Sequence, residues 1–153
     1  MPSFGLHPWF VHERSPEWLA TLRQQLDECP AAVGEFGLDR WKPGLSYEGQ
    51  EEVFTAQLCL AAERDLPASI HCLKTWGRLH ELLRDGSLPK LNFLLHSYGG
   101  PAEMVKPLAN LGAYFSSVSY THLRAHETRE ESVWGRLVVK KRWGGGGGGG
   151  GGG

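Results

Sequence analysis

Residues 32–41 read AVGEFGLDRW, and the interpretation of the whole chain depends on this stretch. The apolar run over residues 31–36 has the length of one fully buried β-strand. Glu35 lies between Gly34 and Gly37 at the predicted end of that strand, and no basic residue adjoins it in sequence. A carboxylate in such a place predicts a bound cation as its positive partner.

Further short apolar runs have the same character and are separated by helical patterns. They cover residues 3–6, 68–72, 91–95 and 113–116. Between them, apolar residues recur at helical spacing, as Leu22 and Leu26 do in one segment and Leu79 and Leu83 in another. Strands that alternate with helices through short connections predict a parallel sheet with right-handed crossovers.

Polar side chains at the strand ends distinguish a barrel from an open sheet. Glu35 follows the apolar residues 31–33, His71 follows residues 68–70, His96 follows residues 93–95, and His7 follows the run over residues 3–6. Parallel strands direct their carboxyl ends to one face, so in a closed barrel these groups would converge at the mouth, whereas in an open sheet they would lie along a line. The pattern favours an α/β TIM (β/α)8 barrel. Because about five of the eight units are present, we expect a fragment of that barrel.

One carboxylate and two imidazoles form a mixed oxygen and nitrogen ligand set. Such a set suits zinc, manganese, magnesium or a similar divalent ion. Taken singly, Glu35 is more typical of an exposed loop acid, and His71 and His96 of hydrogen-bonded core histidines. Three such residues at equivalent positions in successive units instead favour a metal site.

Composition excludes several classes of protein. The 153 residues carry a formal net charge of −1, which gives no basic footprint for nucleic acid over the whole surface, although a local basic patch stays open. Cys29, Cys59 and Cys72 are odd in number and lack CxxC spacing, so we expect no disulfide framework or zinc knuckle, and a cytoplasmic location fits best. No signal peptide and no apolar run of about 20 residues is present, so no membrane association is expected.

The last quarter of the chain does not resemble an evolved protein sequence. VSYTHLRAHET, residues 118–128, resembles the translation of a transposase sequencing adapter, and residues 144–153 are all glycine. We therefore expect residues 118–153 to be a non-native, disordered tail and residues 1–117 to be the domain. On that interpretation His122, His126 and the basic cluster over residues 140–142 are excluded from any site. A natural basic tail with a flexible glycine linker is the alternative. Residues 1–117 carry ten basic and fourteen acidic side chains, a net charge of −4.

Several motifs, taken in order, carry a family resemblance. GLHPWFV (residues 5–11), VGEFGLDRW (33–41), SIHCLK (69–74), LLHSYGG (94–100) and LGAYFSS (111–117) resemble the TatD-type metal-dependent deoxyribonucleases and hydrolases, as does a helical frame between the second and third motifs. That frame consists of Gln50, Val53, Phe54, Gln57, Leu58, Leu60, Ala61, Glu63, Leu66 and Pro67. The resemblance covers nearly all of residues 4–117, and GEFGLD is its most specific element.

The resemblance implies an activity and a set of site residues. It implies a barrel of the amidohydrolase kind, here about strands 3–7, in which Glu35, His71 and His96 bind a pair of divalent metals, Mg, Mn or Zn. The implied reaction is metal-assisted hydrolysis of DNA or a small phosphodiester, and no protein partner is expected. Asp39 is assigned to the site loop and His7 to the site rim. Lys74 is expected to bind a flanking phosphate, with a solvated surface lysine as the alternative.

The chain also departs from the family pattern. The family's His-x-His motif on the first strand and its acidic motif near the last strand are missing, and with them the expected catalytic aspartate. His7 and His12 have the wrong spacing to replace the first motif. Two alternatives therefore stay open: a carbonyl-directed amidohydrolase on the same barrel, and a truncated, inactive translation product with no function of its own.

Overall fold

The computed structural model describes residues 1–117, in which strands and helices alternate. The strands are β1 (Ser3–Phe4), β2 (Ala32–Asp39), β3 (Ala68–Leu73), β4 (Phe93–Leu95) and β5 (Ala113–Phe115). The helices are α1 (Trp18–Glu28), α2 (Tyr47–Arg64), α3 (Trp76–Asp85) and α4 (Val105–Asn110), with 3₁₀ turns at Pro8–Glu13 and Ala102–Met104. The tail predicted for residues 118–153, including His122, His126 and the basic cluster, lies outside the described residues.

The five strands form one parallel sheet in the order β1-β2-β3-β4-β5. Each strand pairs with the next one along the chain, and helices α1 to α4 connect them. A doubly wound sheet reverses its strand order at a switch point, whereas the wall of a barrel does not. The predicted fold, part of a TIM barrel, is therefore confirmed. Within residues 1–117, no helix is long and apolar enough to cross a membrane.

Strand β2 continues beyond the end predicted from the sequence. It runs through to Asp39, so Glu35 lies inside the strand, and the expectation that the strand ends at Glu35 was wrong. His71 likewise lies within β3 rather than after it, whereas His96 does follow β4. The sequence predicts an earlier end because the charged Glu35 interrupts the apolar run.

The glycines of β2 serve close strand packing instead of a chain reversal. Gly34 and Gly37 have φ values of +152° and +158°, and the pairing register with β3 shifts between Val33 and Phe36. A Cβ atom on Gly37 would lie 1.8 Å from the backbone oxygen of His71. Only glycine permits this approach, and it places the backbone of β2 directly against His71.

The core lies between the sheet and the helices. Phe36 on β2 is fully buried and its ring packs 5.4 Å from that of Phe54 on α2, centroid to centroid. Every residue of β2 is buried except Glu35. In β3, buried residues such as Ile70 alternate with partly exposed ones such as His71, as the period of two requires. Glu35 and His71 are thus among the residues of β2 and β3 that are not buried in this core.

Candidate metal centre

Glu35 is surrounded by three histidines. Its Oε2 atom lies 3.4 Å from His7 Nε2 and 3.9 Å from His71 Nδ1, and its Oε1 atom lies 3.0 Å from His96 Nδ1. The Glu35 side chain is 22% exposed. The groups that the fold brings to Glu35 are thus imidazoles, contributed by β3 and by the segments that follow β1 and β4.

The environment keeps the Glu35 carboxylate ionised. Burial on its own raises the pKa of this carboxyl group, but hydrogen bonds and charge interactions with His7 and His96 lower it by more. The net result is a pKa well below the ordinary value of 4.5. Glu35 therefore carries a full negative charge at neutral pH, as a metal ligand must.

The donor atoms lie close enough together for one cation. Each of three residues, His7, Glu35 and His71, offers one ligand atom, and these three atoms lie within 4.8 Å of one another. Two ligands that each sit about 2.1 Å from a common ion are at most about 4.2 Å apart, so small side-chain movements bring this set to coordinating distance. Of this set, Glu35 and His71 offer the oxygen and nitrogen donors that a divalent ion accepts.

Asp39 orients the ring of His71 toward this cluster. Asp39 Oδ2 lies 3.2 Å from His71 Nε2. Burial raises the pKa of Asp39, but hydrogen bonds from Trp9, Lys42, His71 and Trp41 lower it below its ordinary value, so Asp39 is an anion that accepts the Nε2 proton. The lone pair of neutral His71 is then on Nδ1, which faces Glu35. This carboxylate–imidazole arrangement is typical of metal-binding histidines.

His71 also stays neutral at physiological pH. Burial is the largest influence and lowers its pKa, and the neighbouring His7 lowers it further. The hydrogen bond with Asp39 and the charges of Glu35 and Asp39 oppose this shift only in part, because the pKa remains below the ordinary value of 6.5. A neutral imidazole offers its lone pair to a cation without first losing a proton.

His7 is set up differently. The backbone N–H of Trp9 donates to His7 Nδ1 at 3.3 Å, so the proton of the neutral ring is on Nε2 and points toward Glu35 Oε2. In this arrangement His7 donates a hydrogen bond to the carboxylate and does not present a lone pair. His71 is thus oriented to act as a metal ligand, whereas His7 is oriented to hold Glu35 by a hydrogen bond.

Two buried glutamines on α2 hold the segments that carry these residues. Gln57 accepts from the N–H of Leu6 at 2.7 Å and donates to its carbonyl at 3.1 Å, directly before His7. Gln50 does the same for Asp39, at 2.7 and 3.1 Å. Both glutamines are at most 1% exposed. They lie seven residues apart and therefore on the same face of α2, from which they fix the backbone at two points of the site.

His96 lies on the other side of Glu35. It directly follows β4, and its backbone N–H donates to the carbonyl of Ile70 on β3 at 2.9 Å. Its side chain is 34% exposed, compared with 15% for His71. The next residue, Ser97, has a φ of +52° and donates through its backbone N–H to the Ser116 hydroxyl at 2.9 Å. The turn after β4 thus sets the direction of His96.

The structure brings together five of the six residues singled out in the sequence. Glu35, His71 and His96 converge, His7 contacts Glu35, and Asp39 contacts His71. Lys74 is exposed just after β3, with a φ of +59°.

Sequence reasoning missed Trp9, whose indole N–H donates to Asp39, and the site role of Gln50 and Gln57. A signal for the glutamines was present, because two polar residues seven apart interrupt the apolar face of a helix.

A parallel barrel wall with a carboxylate and imidazoles at its mouth defines the class of TIM-barrel proteins with a candidate metal site. The family model for TatD related DNase matches residues 1–139. The chain belongs to this family.

Individual relatives agree with this assignment. The uncharacterized metal-dependent hydrolase YjjV of Escherichia coli K12 is 33% identical over 133 residues, which cover 84% of this chain and 51% of the relative. The 3'-5' ssDNA/RNA exonuclease TatD of Pantoea vagans is 37% identical over 71% of this chain and 42% of its own length. The crystal structure of YjjV superposes with a TM-score of 0.68 at 31% identity, covering 74% of this chain and 44% of that one. The chain therefore spans about half the length of the curated relatives it matches.

Proposed function

We propose that this chain carries part of the active site of a cytoplasmic, divalent-metal-dependent phosphodiesterase. The observation that supports the proposal is the convergence of Glu35, His71 and His96, with both oxygens of one ionised carboxylate facing different imidazoles. Residues 1–117 would form the barrel part, with 118–153 outside the site. The three cysteines are free thiols, and Cys59 is exposed, which suits the reducing cytoplasm.

The ligand set suggests two metal positions. Glu35 Oε2 together with His71 Nδ1 would hold one ion, and Glu35 Oε1 together with His96 Nδ1 would hold the second, with Mg²⁺, Mn²⁺ or Zn²⁺ all compatible with these donors. When bound, such ions supply a water of lowered pKa as nucleophile and neutralise charge on the phosphate.

The protein's own residues prepare this site. Asp39 keeps the proton of His71 on Nε2, and the hydrogen bond from His7 fixes one oxygen of Glu35. Gln50 and Gln57 hold the backbone on either side, so the ligands need little rearrangement when an ion binds. Rigid support of this kind is what a metal site requires for a defined geometry.

Phosphodiesters are the favoured substrate class. Relatives such as the Pantoea vagans protein are named 3'-5' ssDNA/RNA exonucleases, and basic residues, Arg40, Lys42 and Lys74, follow β2 and β3 beside the site. The alternative is a carbonyl-directed amidohydrolase. Many barrels of that kind bridge their metals with a carboxylated lysine after the fourth strand. At the corresponding position this chain has Glu35, which favours the phosphodiesterase.

A chimera tests the proposal. Residues 1–117 would replace the matching part of Escherichia coli YjjV, so that the relative supplies the remainder of the barrel. We expect the chimera to cleave a single-stranded oligonucleotide only with a divalent ion, and Glu35→Ala to abolish cleavage. Cleavage that resists EDTA, or that survives Glu35→Ala, would contradict the proposal.

Metal binding by the 153-residue chain provides a second measurement that needs no turnover. Calorimetric titration with Mn²⁺ should show binding in the unmodified chain. No binding by a folded chain would contradict the proposal even if the chimera did not fold. Binding without hydrolysis by the chain alone would agree with the alternative that this product is inactive by itself.

A further inference from the structure

The loop after β2 presents an exposed tryptophan beside the candidate metal centre. Trp41 is 63% exposed, the largest exposed fraction among the big apolar side chains of the described residues. β2 lies between β1 and β3, so described strands flank the loop on both sides. The exposure of Trp41 therefore does not arise from an uncovered edge of the sheet. A single exposed apolar side chain is common on protein surfaces, but Trp41 also lies beside the candidate metal centre and between two cationic residues, Arg40 and Lys42.

The backbone of this loop is firmly held. The N–H groups of Trp41 and Lys42 donate to Asp39 Oδ1 at 2.8 and 3.0 Å, and the N–H of Arg40 donates to the carbonyl of Leu73 at 3.0 Å. The other oxygen of Asp39 contacts His71. The same carboxylate thus links Trp41 to the histidine of the metal centre.

Two cations flank Trp41 in sequence, and each one lies over an aromatic ring. The Lys42 ammonium lies 4.3 Å from the Trp9 ring centroid, and the Arg40 guanidinium lies 3.6 Å from that of Tyr47. Cation–π contacts hold both side chains against the protein surface. Residues 40–42 therefore concentrate positive charge and an aromatic face on a domain whose net charge is −4.

We infer that residues 40–42 form a subsite for single-stranded nucleic acid, in which a base stacks on Trp41 and Arg40 and Lys42 contact the adjoining phosphates. The inference rests on the proposed function and names the part of the chain that holds the strand. An exposed aromatic ring between cations matches how proteins bind single strands without reading sequence. Bases in a duplex are stacked on one another and present no free face to Trp41.

Binding without metal tests this subsite. Fluorescence anisotropy would measure the 153-residue chain in EDTA with fluorescein-labelled (dT)10 and with a labelled ten-unit abasic strand of the same charge. We expect (dT)10 to bind more tightly than the abasic strand. Trp41→Ala should weaken (dT)10 binding about tenfold and leave abasic binding unchanged, because stacking on one aromatic is worth that much. Trp41→Phe should retain most of the affinity, and Lys42→Gln should weaken both strands.

Leu91→Ala is the matched control. Leu91 is 54% exposed and precedes β4, at the amino ends of the strands and so at the opposite edge of the sheet. Its removal should change neither affinity. Equal binding of (dT)10 by Trp41→Ala and the unmodified chain, or equal binding of (dT)10 and the abasic strand, would overturn the inference. Metal-dependent cleavage by the chimera is measured separately from strand binding. The proposed function can therefore fail while the subsite is supported, and the subsite can fail while the proposed function is supported.

Discussion

The two carboxylate oxygens of Glu35 face two regions that differ in side-chain exposure and in the groups that hold them in place. On the Oε2 side, His7 and His71 have side chains only 13% and 15% exposed, and the Asp39 side chain is completely buried. On the Oε1 side, His96 is 34% exposed and follows a strand of three residues. The first region is fixed by buried polar groups from α2 and the strands, and the second by the turn after β4.

This difference shows how a barrel mouth can combine a rigid and an open half. Gln57 and Asp39 satisfy their hydrogen bonds inside the protein, so the residues they hold have few alternative positions. His96 has a solvent-facing side and is better placed to adjust to an incoming substrate. The buried half should therefore provide most of the metal affinity.

Glu35→Ala should have the largest effect, because this carboxylate serves both halves. We expect Mn²⁺ affinity, measured by calorimetry, to fall more than about 100-fold, since loss of a direct ligand exceeds the 10- to 100-fold cost of losing a supporting residue. Glu13→Ala, which removes a largely exposed carboxylate, is the control and should bind normally. Undiminished binding by Glu35→Ala would show that the ion lies elsewhere.

Gln57→Leu tests the rigid half through stability. The substitution leaves the N–H and carbonyl of Leu6 buried without their partner, which should lower the free energy of unfolding by about 2–4 kcal/mol in urea titrations. Gln24→Leu, at an exposed position on α1, should change it by less than about 0.5 kcal/mol. Similar small losses for both variants would mean that the Gln57 amide does not support the site.

The two halves can be compared directly through their histidines. His71→Ala should weaken Mn²⁺ binding about tenfold more than His96→Ala, because His71 is oriented by Asp39 and kept neutral, while His96 is more exposed. His12→Ala, at an exposed position, should have no effect. A larger loss of Mn²⁺ affinity for His96→Ala than for His71→Ala would contradict the expectation that the buried half provides most of the metal affinity.

The smallest effect concerns pH. Because the pKa of His71 is lowered in the folded protein, the unfolded chain binds more protons below about pH 6.5, and metal-free stability falls as the pH drops through this range. The lowered pKa of Glu35 acts only below its ordinary value of 4.5 and does not enter this window. Between pH 7.5 and 5.5, His71→Gln should lose less stability than the unmodified chain in urea titrations. Equal losses in both proteins would contradict this assignment.

Much of the fold was accessible from the sequence because burial in a parallel sheet leaves continuous apolar runs. The run beginning at Ala68 starts β3 at that residue, and Leu79 and Leu83, which have helical spacing, lie in α3. The end of β2 was not accessible, because Gly34 and Gly37 signal a turn as readily as a close approach between strands. That distinction depends on His71, 34 residues beyond Gly37, which local sequence does not reveal.

The site could be predicted only in outline. Convergence of Glu35, His71 and His96 follows from parallel strand direction alone. The tautomers of His7 and His71 depend on Trp9 and Asp39, whose contacts form only in the folded chain. The domain boundary at residue 117 and the phosphate contact of Lys74 stay predictions.

The most direct measurement is a crystal structure of the chain with Mn²⁺, with the ion located by its anomalous scattering. The account predicts an anomalous peak about 2.2 Å from an oxygen of Glu35 and a ring nitrogen of His71, with a second peak between the other Glu35 oxygen and His96. The Glu35→Ala crystal should lack both peaks. A bound ion that does not contact Glu35, or no ion among these histidines at saturating Mn²⁺, would contradict the account.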